Sequence, residues 1–133
     1  MWLVSSESEP QSLVKETQKL YFMNNPKFQL FPSDRNGQYY YRLRSRNGEP
    51  ILNGEEYTTK QSCLAGIVSV RANAPNDARY QRNDSDGNYT FNLKAANGEI
   101  IGRSENYTTR SARDNGIEAV KRDAPDAPIE DLT

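Results

Sequence analysis

An internal repeat of 50 residues constrains the fold of this chain more than any other feature. When the sequence is shifted by 50 positions, residues 27–76 align without a gap on residues 77–126, and 17 of the aligned positions are identical. About three identities are expected for unrelated sequences of ordinary composition. A chain of 133 residues has room for one ordinary domain, so we expect the two copies to fold as one unit.

Each copy carries the pattern of three short strands followed by a helix. Core-type and polar residues alternate over residues 39–45 and again over residues 89–95, which is typical of a strand with one buried face. An Asn-Gly pair follows each of these strands and favours a tight turn. The helical pattern begins after Tyr-Thr-Thr, whose threonines can cap a helix, and it stops at Pro75 or Pro125.

Glycine occurs inside both predicted helices, at Gly66 and Gly116. Glycine in a helix interior costs about 1 kcal/mol relative to alanine. We therefore expect each helix to approach the sheet or its sister helix closely at this position, because a close contact would offset that cost.

Neither copy is large enough to be stable alone, since even a 60-residue domain buries only about 60% of the surface that its unfolded chain exposes. We predict an α+β domain with pseudo-twofold symmetry, in which one antiparallel sheet of six or more strands carries both helices on one face. The predicted boundaries are 1–26 for an N-terminal extension, 27–76 for repeat one, 77–126 for repeat two and 127–133 for a closing C-terminal strand.

Four segments of the chain form a specific combination. They are NGEIIG (97–102), ENYTT (105–109), ARDNGI (112–117) and IEDLT (129–133). This combination closely resembles the YegP family of small, mostly bacterial proteins, over about residues 27–133. The resemblance implies repeats of three strands, a helix and a further strand, assembled as a continuous sheet with the C-terminal strands exchanged between repeats. It implies no activity, cofactor or catalytic residue.

The N-terminal extension lies outside the resemblance. Ser8 and Gln11 fit a capping pattern at a helix start, with Pro10 in the first turn. We expect a helix that packs on its own domain, binds a partner protein or remains a tail. The apolar residues that follow at helical spacing are Leu13, Val14, Leu20 and Tyr21.

Composition removes several classes of function. The chain has no histidine, the side chain most often used for proton transfer near neutral pH and for metal binding. Its single cysteine, Cys63, cannot form an internal disulfide, which fits a reducing cytoplasm. Mean hydropathy is -0.93 and net charge is -1, so no membrane span and no global attraction to nucleic acid are expected. We expect no cofactor, no metal and a cytoplasmic protein.

Catalysis has little support in the sequence. Cys63 lacks the usual base that would activate its thiol. An enzyme built from carboxylates and arginines is the remaining alternative, and it would require Glu55, Glu56 and Arg42 to meet in a deep cleft. Carboxylates beside turns are ordinary solvated residues, so we expect no catalytic site.

The strongest surface feature is a row of side chains that alternates with the core residues of the second strand. The row consists of Tyr40, Arg42, Arg44 and Arg46, and its counterparts in copy two are Thr90, Asn92, Lys94 and Ala96. Arginines with an aromatic ring on a sheet can bind single-stranded nucleic acid. A solvated sheet face needs polar residues in any case, so the row has a plainer interpretation beside this one.

The sequence does not reveal a biochemical function. We expect a small non-enzymatic binding or interaction module. Weak nucleic-acid binding through the row at residues 40–46 and protein binding through the N-terminal extension are the alternatives for its partner. The tandem chain contains both halves of its pseudo-dimer, which favours a monomer.

Overall fold

A computed structural model describes residues 25–133, and the predicted helix of the N-terminal extension lies outside the described residues. Copy one supplies β1 (Lys27–Pro32), β2 (Tyr39–Arg44), β3 (Pro50–Asn53) and α1 (Lys60–Asn73). Copy two supplies β4 (Tyr80–Asn83), β5 (Thr90–Lys94), β6 (Ile100–Arg103) and α2 (Arg110–Asp123). Short 3₁₀ helices at Asp77–Arg79 and Ala124–Asp126 follow the two helices, and the last strand is β7 (Ile129–Asp131).

The seven strands form one sheet in the order β4-β5-β6-β3-β2-β1-β7. The third strands of the two copies meet at its centre, antiparallel, through Asn53 and Arg103. β7 follows the helix of copy two yet pairs with β1 of copy one, with Ile129 opposite Phe28. The predicted α+β class, single sheet and exchanged strand are confirmed. Because β7 runs parallel to β1, the sheet is mixed, whereas the other pairs are antiparallel as predicted.

One hydrophobic core spans both copies on the helix side of the sheet. α1 packs against β1 and β2 of its own copy and also against β5 and β6 of copy two. Equivalent side chains are fully buried in each copy, as Leu43 and Leu93 or Ile67 and Ile117 show. Neither helix in this part of the chain has the length and hydropathy of a membrane span.

Local signals position the turns and helix starts in both copies. Gly48 and Gly98 follow the second strands with φ of 86° and 88°, the left-handed region that favours glycine. Thr59 caps α1 by accepting a hydrogen bond from the Ser62 N–H at 3.0 Å, and Thr109 caps α2 in the same way. Each helix ends two residues before a proline. These features follow the sequence predictions.

The close approach predicted at the helix glycines is made by the tyrosine of each Tyr-Thr-Thr segment. A Cβ atom on Gly66 would overlap the hydroxyl of Tyr57, and one on Gly116 would overlap the hydroxyl of Tyr107. Each tyrosine is itself bridged to the start of the second strand of its copy. The missing side chain therefore lets each helix lie against a tyrosine that is tied to the sheet.

The first strand is paired differently in the two copies. Phe28 of β1 lies opposite Leu43, whereas the aligned residue Leu93 lies opposite Tyr80 of β4. The 50-residue alignment would put Ala78 at that place, so the register of β4 is shifted by two residues. Tyr80, rather than the small Ala78, thus fills the core position at this end of the sheet.

One core position also differs in chemical type. Cys63 of α1 is fully buried, and burial raises the pKa of its thiol to about 11. The equivalent Arg113 of α2 is only 2% exposed. Its guanidinium lies 2.7 Å from Asp84 and 2.8 Å from Asp114, and it donates to two backbone carbonyls of β4 and β5. Copy two therefore packs an ionic network where copy one packs a thiol.

Candidate functional site

The face of the sheet opposite the helices carries a continuous row of polar side chains. These residues point outward because their neighbours along each strand, such as Phe28 and Leu43, point into the core. Strand pairing then places one such residue from each of six strands side by side. From β4 to β1 the row consists of Gln81, Asn92, Arg103, Asn53, Arg42 and Gln29.

At the copy-one end of this row, Gln29 positions two arginines. Its Oε1 accepts a hydrogen bond from Nε of Arg42 at 3.1 Å and another from Nε of Arg44 at 2.6 Å. Arg44 also donates from Nη1 to the carbonyl of Gly48 at 2.5 Å. Gln29 in turn donates from Nε2 to Glu130 of β7 at 2.9 Å. The exchanged strand thus orients the amide that holds both arginines.

An aromatic pair lies beside the two arginines. The rings of Phe31 and Tyr40 meet edge to face, with centroids 4.0 Å apart. The guanidinium carbon of Arg42 lies 4.3 Å from the Phe31 centroid, within cation–π range. Phe31 is not among the residues predicted from the sequence. The alternation of β1, which buries Phe28 and Leu30, was the signal that places Phe31 on the outer face.

Arg46 lies apart from the other members of the predicted row. It follows β2 in the turn, is exposed, and lines a shallow hollow with Arg122 of α2, on the helix side. The structure therefore brings together five residues, which we call the arginine–aromatic cluster. They are Gln29, Phe31, Tyr40, Arg42 and Arg44.

The two guanidinium groups of this cluster have no carboxylate of the described residues bonded directly to them, although Glu105 acts on Arg42 at longer range. Within residues 25–133, no ion pair involves Arg42 or Arg44. Burial and then the neighbouring charge of Arg44 lower the pKa of Arg42 from its ordinary value. Arginine nevertheless stays protonated at neutral pH. Two like charges therefore share one neutral amide oxygen, and an anion beside them would relieve their repulsion.

The centre of the outer face has paired polar groups instead. Arg103 bonds to Glu55 at 3.0 Å, and Nδ2 of Asn53 donates to Glu105 at 2.5 Å. Each contact joins a third strand of one copy to the loop after the third strand of the other copy, so the two contacts are related by the pseudo-twofold axis. They hold the copies together across the sheet centre and leave these carboxylates engaged.

The copy-two end of the face has fewer charges than the copy-one end. Nδ2 of Asn92 donates to Gln81 at 3.0 Å, and Nδ2 of Asn83 donates to Thr90 at 3.4 Å. Amides and a hydroxyl thus occupy the places that Arg42 and the two aromatic rings occupy in copy one, and Lys94 occupies the place of Arg44. The only cation of the predicted counterpart row is Lys94. The outer face therefore has one end with two arginines and two aromatic rings and one polar end with a single lysine.

The residues of the catalytic alternative are not brought together. Glu55 pairs with Arg103, whereas Arg42 belongs to the arginine–aromatic cluster. Glu56 is exposed and lines a hollow of about 440 Å³ with Tyr40 and the loop at residues 33–35, and neither Glu55 nor Arg42 lines this hollow. In the described part of the chain, no group of three acidic, cysteine or histidine side chains could hold a metal ion.

Known proteins share both the repeat and the sheet. The model of the family DUF1508, described as a domain of unknown function, matches the chain twice, over residues 34–81 and 84–131. An NMR structure of a UPF0339 protein from Shewanella oneidensis is 42% identical with a TM-score of 0.76, covering 82% of this chain and 92% of that chain. The NMR structure of YegP from Escherichia coli, named a protein of unknown function, is also 42% identical with a TM-score of 0.76 and covers 84% and 96%.

Curated relatives match over shorter stretches. A UPF0339 protein from the ptx operon 5′ region of Stutzerimonas stutzeri is 45% identical over 58 residues, which is 44% of this chain and 51% of the relative. A UPF0339 protein of Treponema denticola is 46% identical over 52 residues, 39% of this chain but 88% of the relative. The match thus spans about half of the first relative, whereas in the second a stretch close to one repeat makes up most of the protein.

Proposed function

The chain belongs to the DUF1508 family, a family of unknown function, and on that premise we propose that it is a non-enzymatic binding module for single-stranded nucleic acid. The ligand is held weakly on the outer sheet face by the arginine–aromatic cluster. One observation carries the proposal. Two guanidinium groups without a carboxylate partner in residues 25–133 lie on one glutamine, directly beside two aromatic rings.

The chemistry of the cluster fits a polyanion with flat apolar faces. Guanidinium groups match the oxygens of phosphate, and both Arg42 and Arg44 are held in place by Gln29 before any ligand binds. The rings of Phe31 and Tyr40 offer surfaces on which bases can stack, at about 1–3 kcal/mol per base. Residues two apart on a strand are roughly 6.8 Å apart. An extended single-stranded nucleic acid can therefore place successive phosphates on the two arginines.

The shape of the face favours a single strand over a duplex. Duplex DNA is read by a helix or a two-stranded ribbon that enters the major groove. The cluster instead lies on the face of a seven-stranded sheet, which is too broad for a groove. A sheet with exposed aromatic rings is an established type of surface for unstacked bases.

The same geometry limits the affinity. The cationic end of the face offers two arginines, and it is followed by the centre, where Glu55 and Glu105 lie. The whole chain has a net charge of -1, so distant charges add little attraction. Binding should therefore be weak, local and sensitive to salt.

Non-enzymatic action is part of the proposal. The carboxylates that a histidine-free enzyme would use are separated, since Glu55 bonds to Arg103 while Glu56 lines a hollow that Glu55 does not line. We also place the protein in the cytoplasm as a monomer. The buried thiol of Cys63 suits a reducing compartment, and one chain already supplies both halves of the sheet.

The test is fluorescence anisotropy with a labelled oligothymidine of about 16 nucleotides, titrated at several salt concentrations. The double variant Arg42→Gln with Arg44→Gln should reduce the salt slope of log K by about 1.4, because each phosphate contact on a single strand contributes about 0.7. Phe31→Ala should weaken binding about fivefold or more without changing that slope, since it removes stacking and no charge.

The matched control is the double variant Arg110→Gln with Arg122→Gln. It removes the same charge from exposed arginines of α2, on the helix side of the sheet. This control should leave the salt slope within error of the wild type. If the control weakens binding as much as the cluster variant does, or if the wild-type protein does not bind the oligonucleotide at low salt, the proposed function is wrong.

A further inference from the structure

The outward faces of the two helices differ in a way that the shared core does not explain. α1 and α2 have the same length, equivalent caps and equivalent buried positions. Their exposed positions differ: α1 has Ala65, Val68 and Ala72 where α2 has Asn115, Glu118 and Arg122. Val68 is 60% exposed, more than any other large apolar side chain in residues 25–133. We call Ala65, Val68 and Ala72 the α1 stripe.

The α1 stripe has the geometry of a helix-packing surface. Its members are three and four residues apart, so they lie one above another along the helix. Gln61 and Pro75 continue the stripe at its two ends, and no charged residue interrupts it. Alanine side chains allow a second helix to approach closely, within the usual interaxial range of about 8–10 Å. A helix that is apolar on both its inner and outer sides is typical of one covered on both sides.

We propose that the N-terminal extension of the same chain docks as a helix on the α1 stripe. The place where the extension joins the domain supports this occupant. Asn25 and Pro26 line a hollow of about 350 Å³ with Arg122 and Asp123 at the C-terminal end of α2 and with Ala127 after it. The carbonyl of Ala127 accepts a hydrogen bond from Arg71, in the last turn of α1, at 2.5 Å. The extension therefore enters the domain near the C-terminal ends of both helices, and only α1 offers it an apolar outer face.

The length and pattern of the extension match the stripe. α1 has 14 residues, which is about 21 Å of helix. A helix over residues 10–24 has nearly the same length. The predicted apolar residues between Leu13 and Tyr21 fall within it. A helix that ends beside the C-terminal end of α1 and runs back along it lies parallel to α1 and brings these two apolar surfaces together.

A segment of the same chain fits this surface better than a second copy does. A stable interface between two chains buries about 800 Å² on each partner, whereas the α1 stripe consists of three small side chains. A tethered segment needs far less surface, because its effective concentration is in the millimolar range. α2 cannot serve as an equivalent site, since Glu118 and Arg122 stand on its outer face.

The experiment is amide hydrogen exchange of the full chain, followed residue by residue by NMR. In the wild type, amides of residues 12–22 should be protected. Val68→Glu places the copy-two residue in the stripe and should lower that protection at least about tenfold, while sheet amides stay unchanged. Ala65→Glu is a second variant with the same expected result. Glu118→Lys, at the equivalent position of α2, is the matched control and should leave residues 12–22 protected.

The reciprocal change tests the same contact from the other side. Leu13→Ser with Leu20→Ser should shift the amide resonances of Ala65, Val68 and Ala72 and leave those of α2 in place. The proposal is overturned if residues 12–22 are unprotected in the wild type, or if both stripe variants leave their protection intact. It is also overturned if light scattering shows a wild-type dimer that Val68→Glu converts to a monomer, because a second copy would then cover the stripe.

Discussion

Copy one and copy two share a backbone plan but differ in chemistry where each meets the end of the sheet. β1 is covered by β7, and its inward residues Phe28 and Leu30 are fully buried. β4 is the edge strand at the opposite end. There the place of Leu30 is taken by exposed Arg82, which bonds to Asp77 at 2.9 Å. Charged side chains at an open edge discourage pairing with other strands. The inward side chains of the covered strand β1 can therefore be apolar, whereas the open edge strand β4 has a charged side chain at the equivalent position.

The ionic network around Arg113 continues this difference into the core. Asp114 bonds to Arg113 and also approaches Arg82 of the edge strand, at 3.8 Å. The equivalent of Arg113 in copy one is Cys63, and the equivalent of Asp114 is Leu64. The two copies thus reach the same fold with different core side chains. Those beneath the covered strand β1 are apolar, whereas those beneath the edge strand β4 form ion pairs.

The largest expected effect comes from forcing the copy-two residue into copy one. Cys63→Arg buries a guanidinium beside Leu64, where the counterpart of Asp114 is missing and the counterpart of Asp84 is the exposed Asp34. The cost of burying that charge and of overpacking should destabilise the protein by about 5 kcal/mol or more. Urea unfolding followed by circular dichroism measures this change. Cys63→Ala is the control and should cost about 2 kcal/mol or less. An unchanged midpoint for Cys63→Arg would show that the two sites are chemically interchangeable.

A smaller effect is expected from the reverse change. Arg113→Met keeps the length of the side chain but leaves two backbone carbonyls of β4 and β5 without their donor. Asp84 and Asp114 are partly exposed and can be hydrated instead. We expect a loss of about 2 kcal/mol in the same urea assay. A variant as stable as the wild type, or more stable, would mean that the ion-pair network around Arg113 contributes no stability.

The helix glycines are positions where the two copies should behave alike. Gly66→Ala and Gly116→Ala each push a methyl group into a tyrosine hydroxyl. We expect each substitution to destabilise the protein by about 1–2 kcal/mol, although alanine gains up to about 1 kcal/mol in helix propensity. Thermal unfolding of the two variants checks this. Stabilisation by either substitution would contradict the tight contact, and very unequal losses would show that the two helices are packed differently.

The smallest effect concerns the charged edge at low pH. Hydrogen bonds from Arg82 and then Lys121 lower the pKa of Asp77 to about 2, against about 3.9 in an unfolded chain. A carboxyl whose pKa is lower in the folded state stabilises the protein above about pH 4, and this stabilisation is lost as the pH falls towards about 2. The effect should be small because Asp77 is exposed.

Asp77→Asn should therefore flatten the fall in melting temperature between about pH 4 and pH 2. Asp86→Asn, in the exposed loop between β4 and β5, serves as the control and should leave the curve unchanged. If the wild type and Asp77→Asn lose stability in parallel over this range, the ion pairs of Asp77 with Arg82 and Lys121 do not contribute to the stability of the fold.

Features that depend on local pattern were predictable from the sequence. The strands, the Asn-Gly turns and the threonine caps each occur twice with a clear period, so one copy supports the interpretation of the other. The pairing of β4 was not predictable in this way. Alignment puts Ala78 where the structure has Tyr80, because the register of a first strand depends on what covers it. The direction of β7 depends on tertiary contacts in the same manner.

The candidate site was likewise predictable only where local sequence pattern decides the position of a side chain. Strict alternation along β2 places Tyr40, Arg42 and Arg44 on the outer face. Alternation ends after that, because the pairing of β2 with β3 shifts between Leu43 and Arg44 and the chain then turns, so Arg46 lies elsewhere. The joint role of Gln29 requires a cross-strand register that only the structure supplies.

The two copies complete one core, and we infer that they do not unfold separately. Native-state hydrogen exchange in increasing urea tests it most directly, by comparing the most protected amides of β2 in copy one with those of β5 in copy two. We predict that both sets reach the same free energy and the same urea dependence, those of global unfolding. If the amides of β5 exchange through a separate opening of lower free energy while those of β2 stay protected, the copies are independent and the account is wrong.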